Sequence, residues 1–419
     1  MSAQDTTEQV ISLEKLFELA EENSKTLKPG ITGVSEAEAA IAVAKNVRLP
    51  EINLSLSFSY LGDGLLIDRD FSHTITAPMP HFGNNFIFEV SQVIYSGGAI
   101  NNGIAIAELQ KESVTLDLDI VRKRLRFQIV GYYLELFKQE NLLRVYEKNI
   151  EQTKQVLKEV RTKSDEGILL KNDITRYELL LSNLELSSIQ IRNTLTILNG
   201  ELLTIVGLPQ DMILKPDRSM LAEALPQNEQ TWEEIALSHS QELKQALLLV
   251  EINKKEDKLL RSERLPQIAF VAGNHLDGPI TIEVPPINKN FNYWYAGIGV
   301  KYNLSSLYKT KKTLNRSKFT IQRNTEQYDY VKEQTDLTIR DSYIRYLEAY
   351  EQVETQEKSV ELAGQNYDII SNRYKNDMAL ITDMMDASSS KLQAEVQLVN
   401  ARINIIYHYY KLKYLSGSL

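Results

Sequence analysis

From residue 52 to residue 60 apolar and small polar side chains alternate strictly. Ile52, Leu54, Leu56, Phe58 and Tyr60 lie on one register and Asn53, Ser55, Ser57 and Ser59 on the other. Successive side chains of an extended chain point to opposite faces, so this period of two predicts a strand over about 51–60 with one apolar and one polar face. Phe86, Phe88 and Val90 alternate with Ile87, Glu89 and Ser91, which predicts a second strand over about 85–95. Ile268 and Phe270 open a third over about 267–275. In a fourth, over about 291–304, Trp294, Ala296, Ile298, Val300, Tyr302 and Leu304 alternate with Tyr295, Gly297, Gly299, Lys301 and Asn303.

Elsewhere the period changes to steps of three and four. Leu125, Ile129, Tyr132, Leu136, Gln139, Leu143, Tyr146, Ile150, Thr153, Leu157 and Val160 keep that rhythm, and after a turn near Asp165-Glu166-Gly167 so do Ile174, Tyr177, Leu181, Leu184, Ser188, Ile191, Leu195, Leu198, Leu202 and Ile205. This is the spacing of coiled-coil packing. A second stripe (Leu180, Leu186, Ile189, Ile197, Leu203) predicts helices with neighbours on two sides. The stripe from Met384 to Leu415 is more dilute and carries Lys391 and His408. A helix from about Ala105 to Ser164 would extend on the order of 90 Å, too long to lie inside a compact globule of this mass.

The chain also repeats itself. Arg48-Leu49-Pro50-Glu51-Ile52 returns as Arg264-Leu265-Pro266-Gln267-Ile268, an offset of 216. Later the offset is 210, pairing Val90 with Val300, Asp173 with Asp383 and Gly207 with Gly417. The difference falls between residues 50 and 90, where Gly62-Asp63-Gly64 and Pro78-Met79-Pro80 mark loops that tolerate length changes cheaply. The reading is a flexible N-terminus over 1–10 and two repeats, 11–215 and 216–419. Each repeat has two strands followed by a helix hairpin, at about 100–207 in the first and 308–416 in the second.

Composition narrows the options. The 419 residues include 56 acidic and 47 basic ones, a net charge of −9. That acidity, with no clustered Lys/Arg stretch, argues against a nucleic-acid partner. There is no cysteine, which removes disulfides and thiol chemistry. No apolar run reaches the ~18–20 residues of a membrane-spanning helix. Met1 to Val10 is polar and lacks the apolar core of a signal peptide, which predicts a cytosolic protein or a processed form.

The four strands sit between helices too long to fold back over them, so their apolar faces need another cover. Lipid can provide it, since transmembrane barrel strands need only ~9–11 alternating residues. Phe82, Phe86, Phe291, Tyr293, Trp294 and Tyr295 are expected as an interfacial aromatic girdle. Unpaired strand edges are not tolerated in hydrocarbon, so four strands must be joined by those of other copies. Three copies would give about twelve strands, within the known range. The competing reading is a soluble coiled-coil scaffold whose hairpins cap a helical rod.

Over about Ser12 to Gly417 the pattern resembles the TolC-like outer-membrane efflux channels. The likeness is clearest in Tyr374-Lys375-Asn376-Asp377-Met378-Ala379-Leu380-Ile381-Thr382-Asp383-Met384-Met385-Asp386-Ala387, in Asn400-Ala401-Arg402, in Gln92-Val93-Ile94-Tyr95-Ser96-Gly97-Gly98 and in the two Arg-Leu-Pro strand approaches. The resemblance implies a mainly α fold with transmembrane β: a homotrimer sharing one β-barrel in the outer membrane, continuing into an α-helical coiled-coil tunnel in the periplasm. It implies the exit duct of a tripartite efflux pump or type I secretion system. The partners would be a periplasmic adaptor protein, an inner-membrane transporter and outer-membrane lipid, with no cofactor and no catalysis. The missing signal peptide is then expected of a mature form.

The resemblance also implies site residues. Asp383 and Asp386 match carboxylates that narrow the periplasmic end of the tunnel. Three chains would place six of them around one axis, a possible cation ring. Asp173 and Tyr374 match positions linking neighbouring hairpins in the closed state. Here the family's usual glycine at the second tip is Asp377 and its often basic neighbour is Ala379, so Arg373 or Arg161 is considered as a substitute partner. The tips, with Gly167, Asp377, Arg161 and Arg373, are the expected adaptor-docking surface. The five histidines lack metal-ligand spacing, and Ser388-Ser389-Ser390 is not a nucleophile elbow, which speaks against an enzyme.

Overall fold

The computed structural model describes residues 8–168, 170–217, 228–283 and 285–419. Its elements run β1 (Glu8–Ile11), α1 (Leu13–Asn23), α2 (Lys28–Asn46), β2 (Glu51–Tyr60), β3 (Gly64–Ile67), β4 (Thr74–Ala77), β5 (Phe82–Tyr95), α3 (Ala99–Asp165) and α4 (Lys171–Val206). They continue through β6 (Ile213–Pro216), α5 (Glu229–His239), α6 (Gln241–Ser262), β7 (Gln267–Gly278), β8 (Phe291–Lys301), α7 (Ser306–Lys375) and α8 (Ile381–Leu415). α3 and α7 are unbroken helices of 67 and 70 residues. The chain divides into two units. The first comprises Met1–Gly33, Thr115–Ala246 and Tyr328–Leu419; the second comprises Val34–Val114 and Leu247–Gln327.

The second unit holds an antiparallel four-stranded sheet in the order β2-β5-β7-β8. β5 begins at Phe82, earlier than the alternation suggests, because Phe82 pairs with Tyr60. β8 ends at Lys301 rather than 304. There Asn303 turns the chain, its side chain accepting from the Ser305 backbone N–H at 3.2 Å and its carbonyl from the Ser306 hydroxyl at 2.7 Å. The loop from 61 to 81 contains the small β3–β4 hairpin, too short to leave a periodic signal. Beside the sheet, α2 and α3 are tied by Lys111–Glu38 at 3.1 Å.

The first unit is built from helices. Residues 1–7, most of the stretch expected to be a flexible N-terminus, lie outside the described residues. Glu8–Ile11, however, form β1, which pairs in parallel with β6. β6 itself spans the repeat boundary expected between residues 215 and 216. The buried Tyr133 hydroxyl joins the pair to α3, donating to the Ile11 carbonyl at 2.8 Å and accepting from the Asp217 N–H at 2.7 Å. Burial pushes the Tyr133 hydroxyl up to about 12. Nearby, Lys123, buried to 4 % exposure, donates to both oxygens of Glu242 at 2.6 and 2.8 Å.

The long helices bury the three-and-four stripe. On α4 the buried positions include Tyr177, Leu184, Ser188, Ile191, Leu198 and Leu202, with Val206 taking the place expected for Ile205. The second stripe is split: Leu203 is buried, whereas Leu186, Ile189 and Ile197 are exposed on the single chain. On α8 the two polar interruptions are accommodated. The Lys391 ammonium sits 4.2 Å from the Tyr367 ring centre, and half-buried His408 is held below its ordinary pKa by burial and then by Lys411 and Arg345.

Candidate functional site

Two places carry the residues singled out by sequence, one in each unit. In the sheet, the strand register decides which side chains share a face, because directly paired residues lie on the same side. The rows Leu54–Phe88–Asn274–Trp294 and Leu56–Phe86–Leu276–Asn292 belong to one face. The rows Asn53–Glu89–Gly273–Tyr295 and Ser55–Ile87–His275–Tyr293 belong to the other. The first face is therefore mainly aliphatic and aromatic, the second largely serine, asparagine and glycine with Glu89, His275 and three aromatic rings. Among the described residues nothing covers the apolar face: Leu54 is 67 % exposed, Phe58 64 %, Trp294 76 % and Ile298 70 %. Among the described residues the outer edges of β2 and β8 have no strand partner, so the sheet is open.

This register corrects the expected aromatic girdle. Phe82, Phe86 and Trp294 do lie on the apolar face, but Phe291, Tyr293 and Tyr295 alternate with Trp294 and point to the polar one. There Tyr295 lies across Gly273, where a Cβ would come within 2.8 Å of its ring, and its hydroxyl reaches Glu89 at 3.4 Å. His275 stacks on Tyr293 with ring centres 5.0 Å apart.

In the helical unit, the α3–α4 and α7–α8 turns share one construction. Each helix ends in a residue with left-handed backbone, Gly167 at φ 80° and Asp377 at φ 60°. Each then bonds back five residues: the Ile168 N–H to the Lys163 carbonyl at 2.9 Å, and the Met378 N–H to the Arg373 carbonyl at 2.8 Å. This is the C-terminal motif that favours glycine and tolerates aspartate, which explains how Asp377 can occupy a glycine's position. The next helix starts alike in both turns. Asp173 accepts from the Leu170 N–H at 3.2 Å and Asp383 from the Leu380 N–H at 3.0 Å. Leucine offers no side-chain acceptor, so only the carboxylate half of a capping box exists here. Asp173 and Asp383 are thus helix-start caps, whatever further part they play. Asp386 is exposed one turn on, on the same side of α8 as Asp383, while Met384 and Ala387 turn inward.

The tips of all four helices pack around Val156, Val160, Tyr177, Tyr367, Tyr374 and Met384. Tyr374 is 3 % exposed and its hydroxyl has no hydrogen-bond partner among the described residues, so the structure does not join it to Asp173 within one chain. Burial pushes the Tyr374 hydroxyl up to about 12, with the charges of Glu159, Asp173 and Asp377 adding to the effect. At the tips, a contact that does link the hairpins was not singled out by sequence. The Lys163 ammonium donates to the Tyr374 carbonyl at 3.0 Å and to Asp377 at 2.5 Å, and lies 4.9 Å from the Tyr374 ring centre. Neither arginine takes that place. Arg161 donates to Glu178 at 2.7 Å within the first hairpin, and exposed Arg373 has no side-chain bond to the described residues. The available signal was the last-turn lysine of α3 facing an aspartate where a glycine is usual.

The sheet thus has one greasy and one polar face, has no strand partner at either edge among the described residues, and its second and fourth strands are each followed by a helix of about seventy residues. The fold matches the outer membrane protein VceC from Vibrio cholerae with a TM-score of 0.78 and 14% identity, covering 97% of this chain and 96% of that one. It matches the channel CusC with a TM-score of 0.82 and 14% identity, over 97% and 92%. For the open-state outer membrane channel MtrE from Neisseria gonorrhoeae the values are 0.74 and 13%, over 97% and 89%. No curated protein matches by sequence. Residues 232–418 match the family model described as outer membrane efflux protein. That match lies in the second half of the chain and covers less than half of it, so it marks a likeness to the outer membrane efflux proteins.

Proposed function

We propose that the protein is the outer-membrane exit duct of a tripartite efflux system, a passive channel formed by three copies of this chain. Three open sheets would join edge to edge, β8 of one beside β2 of the next, into a barrel of about twelve strands. The uncovered apolar face carries this reading. Monomeric soluble proteins rarely expose contiguous apolar patches of this extent, and a bilayer removes that surface from water while the polar face lines an aqueous pore. The soluble scaffold leaves the same face without a cover.

The two halves, each a strand pair followed by a helix hairpin, read as a duplicated unit whose helices would continue the barrel as a periplasmic coiled-coil tunnel. The exposed Leu186, Ile189 and Ile197 on α4 suit packing against a sister subunit. The tips are the gate. Asp383 and Asp386 from three chains form a carboxylate ring favouring cations, and the Lys163 clamp, with Tyr374 and Asp173 beside it, holds the second hairpin to the first. The outer surface of the tips, around Gly167, Asp377, Arg161 and Arg373, receives a periplasmic adaptor coupled to an inner-membrane transporter. The test is the mass of the detergent-extracted particle together with its conductance in planar bilayers. A particle of about three chain masses that conducts supports the duct. A 47.9 kDa particle that stays soluble without detergent and carries no current overturns it.

A further inference from the structure

From Lys301 to Arg323 the sequence holds seven basic residues and no acidic one. They are too spread to read as a run, but the first two turns of α7 gather three of them, while Lys301 lies on the polar face of β8 with Gly299. β8 ends at Lys301 and α7 begins at Ser306, so Lys309, Lys311 and Lys312 lie within about 9 Å of the helix start. All three of these helix side chains are exposed and none forms an ion pair with the described residues. Lower on the long helices exposed cations do find carboxylates, as in Arg345–Asp341 at 3.1 Å and Arg402–Glu357 at 2.8 Å. Interleaved with the lysines are exposed Leu304, Leu307 and Tyr308, which continue the apolar face of β8 past its last residue. From strand to helix the order is thus apolar face, mixed aromatic and aliphatic fringe, then unpaired positive charge. That is the order of hydrocarbon, interface and phosphate in one leaflet.

We propose that the foot of β8 and the first turns of α7 form a binding site for anionic phospholipid headgroups. The proposal rests on the reading that the sheet's apolar face lies in lipid. Charge complementarity selects the occupant: the site offers flexible ammonium groups that form no ion pair with the described residues, in a stretch of chain without an acidic residue, and an anionic headgroup supplies the missing charge next to acyl chains that fit the fringe. The attraction is limited to about a Debye length, ~8 Å at physiological salt. Lys318 and Arg323, about 18 and 26 Å along the helix from Ser306, are therefore outside it. Near an anionic surface each lysine is expected to change lipid preference by about fivefold.

The test reconstitutes the full chain in vesicles of equal parts phosphatidylglycerol and phosphatidylcholine, extracts it in mild detergent and measures which lipid it retains. The wild type should be enriched in phosphatidylglycerol and should lose the enrichment in roughly 1 M salt. The triple variant Lys309→Gln, Lys311→Gln, Lys312→Gln should lose it at low salt, and Lys318→Gln with Arg323→Gln should keep it. Equal retention of both lipids by the wild type, insensitivity to salt, or equal loss in the two variants overturns the site. A change of particle mass in the triple variant alone assigns this face to a protein neighbour and also overturns it. If the triple variant does not fold, the wild-type lipid and salt arms decide alone. Failure of the wild type to enter vesicles removes the membrane reading itself, whereas entry without lipid preference removes only this site.

Discussion

Replacing Lys163 by methionine keeps most of the side chain's stem over Tyr374 and removes its three donors. The ion pair with Asp377 is partly solvated, since Asp377 is 63 % exposed, and is worth about 0.5 kcal/mol. The charged hydrogen bond to the Tyr374 carbonyl adds about 1 kcal/mol, and the ammonium over the ring about 0.5 kcal/mol. Together they make about 2 kcal/mol, or roughly thirtyfold in the balance between clamped and released tips. Single-channel recording in planar bilayers should show Lys163→Met open more often by about that factor. Asp377→Gly should open it only about twofold more often, because glycine keeps the left-handed turn and loses only the ion pair of about 0.5 kcal/mol. Asp377→Ala should open it too but unfold more easily than Asp377→Gly by about 1 kcal/mol, since alanine resists positive φ. The double variant Lys163→Met/Asp377→Gly should add little to Lys163→Met alone, because that change already removes the ion pair. Unchanged open probability in both single variants would refute the clamp.

Other expectations follow from the same contacts. Asp383→Asn with Asp386→Asn should weaken cation preference or divalent block of the channel while retaining an acceptor for the Leu380 N–H; unchanged ion selectivity would remove the carboxylate ring. Glu242→Gln leaves the buried Lys123 charge without its carboxylate, so a thermal-unfolding series should find it about 2–3 kcal/mol less stable, and a loss under 0.5 kcal/mol would show the pair to be dispensable. Burial alone would raise the Glu242 pKa, but the hydrogen bond and charge of Lys123, with the Glu242 backbone and Ser240, outweigh it and hold the group below its ordinary 4.5. The stability from this pair is therefore complete above about pH 4.5 and is lost as the pH falls through the lowered value. Glu242→Gln should flatten that acid limb, and an unaltered limb would assign it to other groups.

The long elements were legible because their periods persist: ten alternating residues leave little ambiguity about β2, and dozens of residues in steps of three and four do the same for α3, α4 and α8. The four-residue strands β1, β3, β4 and β6 were not, since so short a segment carries no period. The girdle went partly astray because clustering in sequence ignores that neighbours on a strand face opposite ways, as Tyr293, Trp294 and Tyr295 do. Asp173 and Asp383 were found through the family's pattern, and only coordinates reveal that each also caps its helix. Lys163 escaped because its partners lie 211 and 214 residues away, a pairing set by how two hairpins pack and by nothing local.

The central claim is that one face of the sheet meets lipid and the other water. The cysteine-free chain allows single labels at will. Spin labels placed through Leu54→Cys, Ser55→Cys, Leu56→Cys and Ser57→Cys in reconstituted protein should alternate, residues 54 and 56 accessible to oxygen in the bilayer and 55 and 57 to a water-soluble nickel complex. Equal access of all four labels to the aqueous reagent would contradict the account.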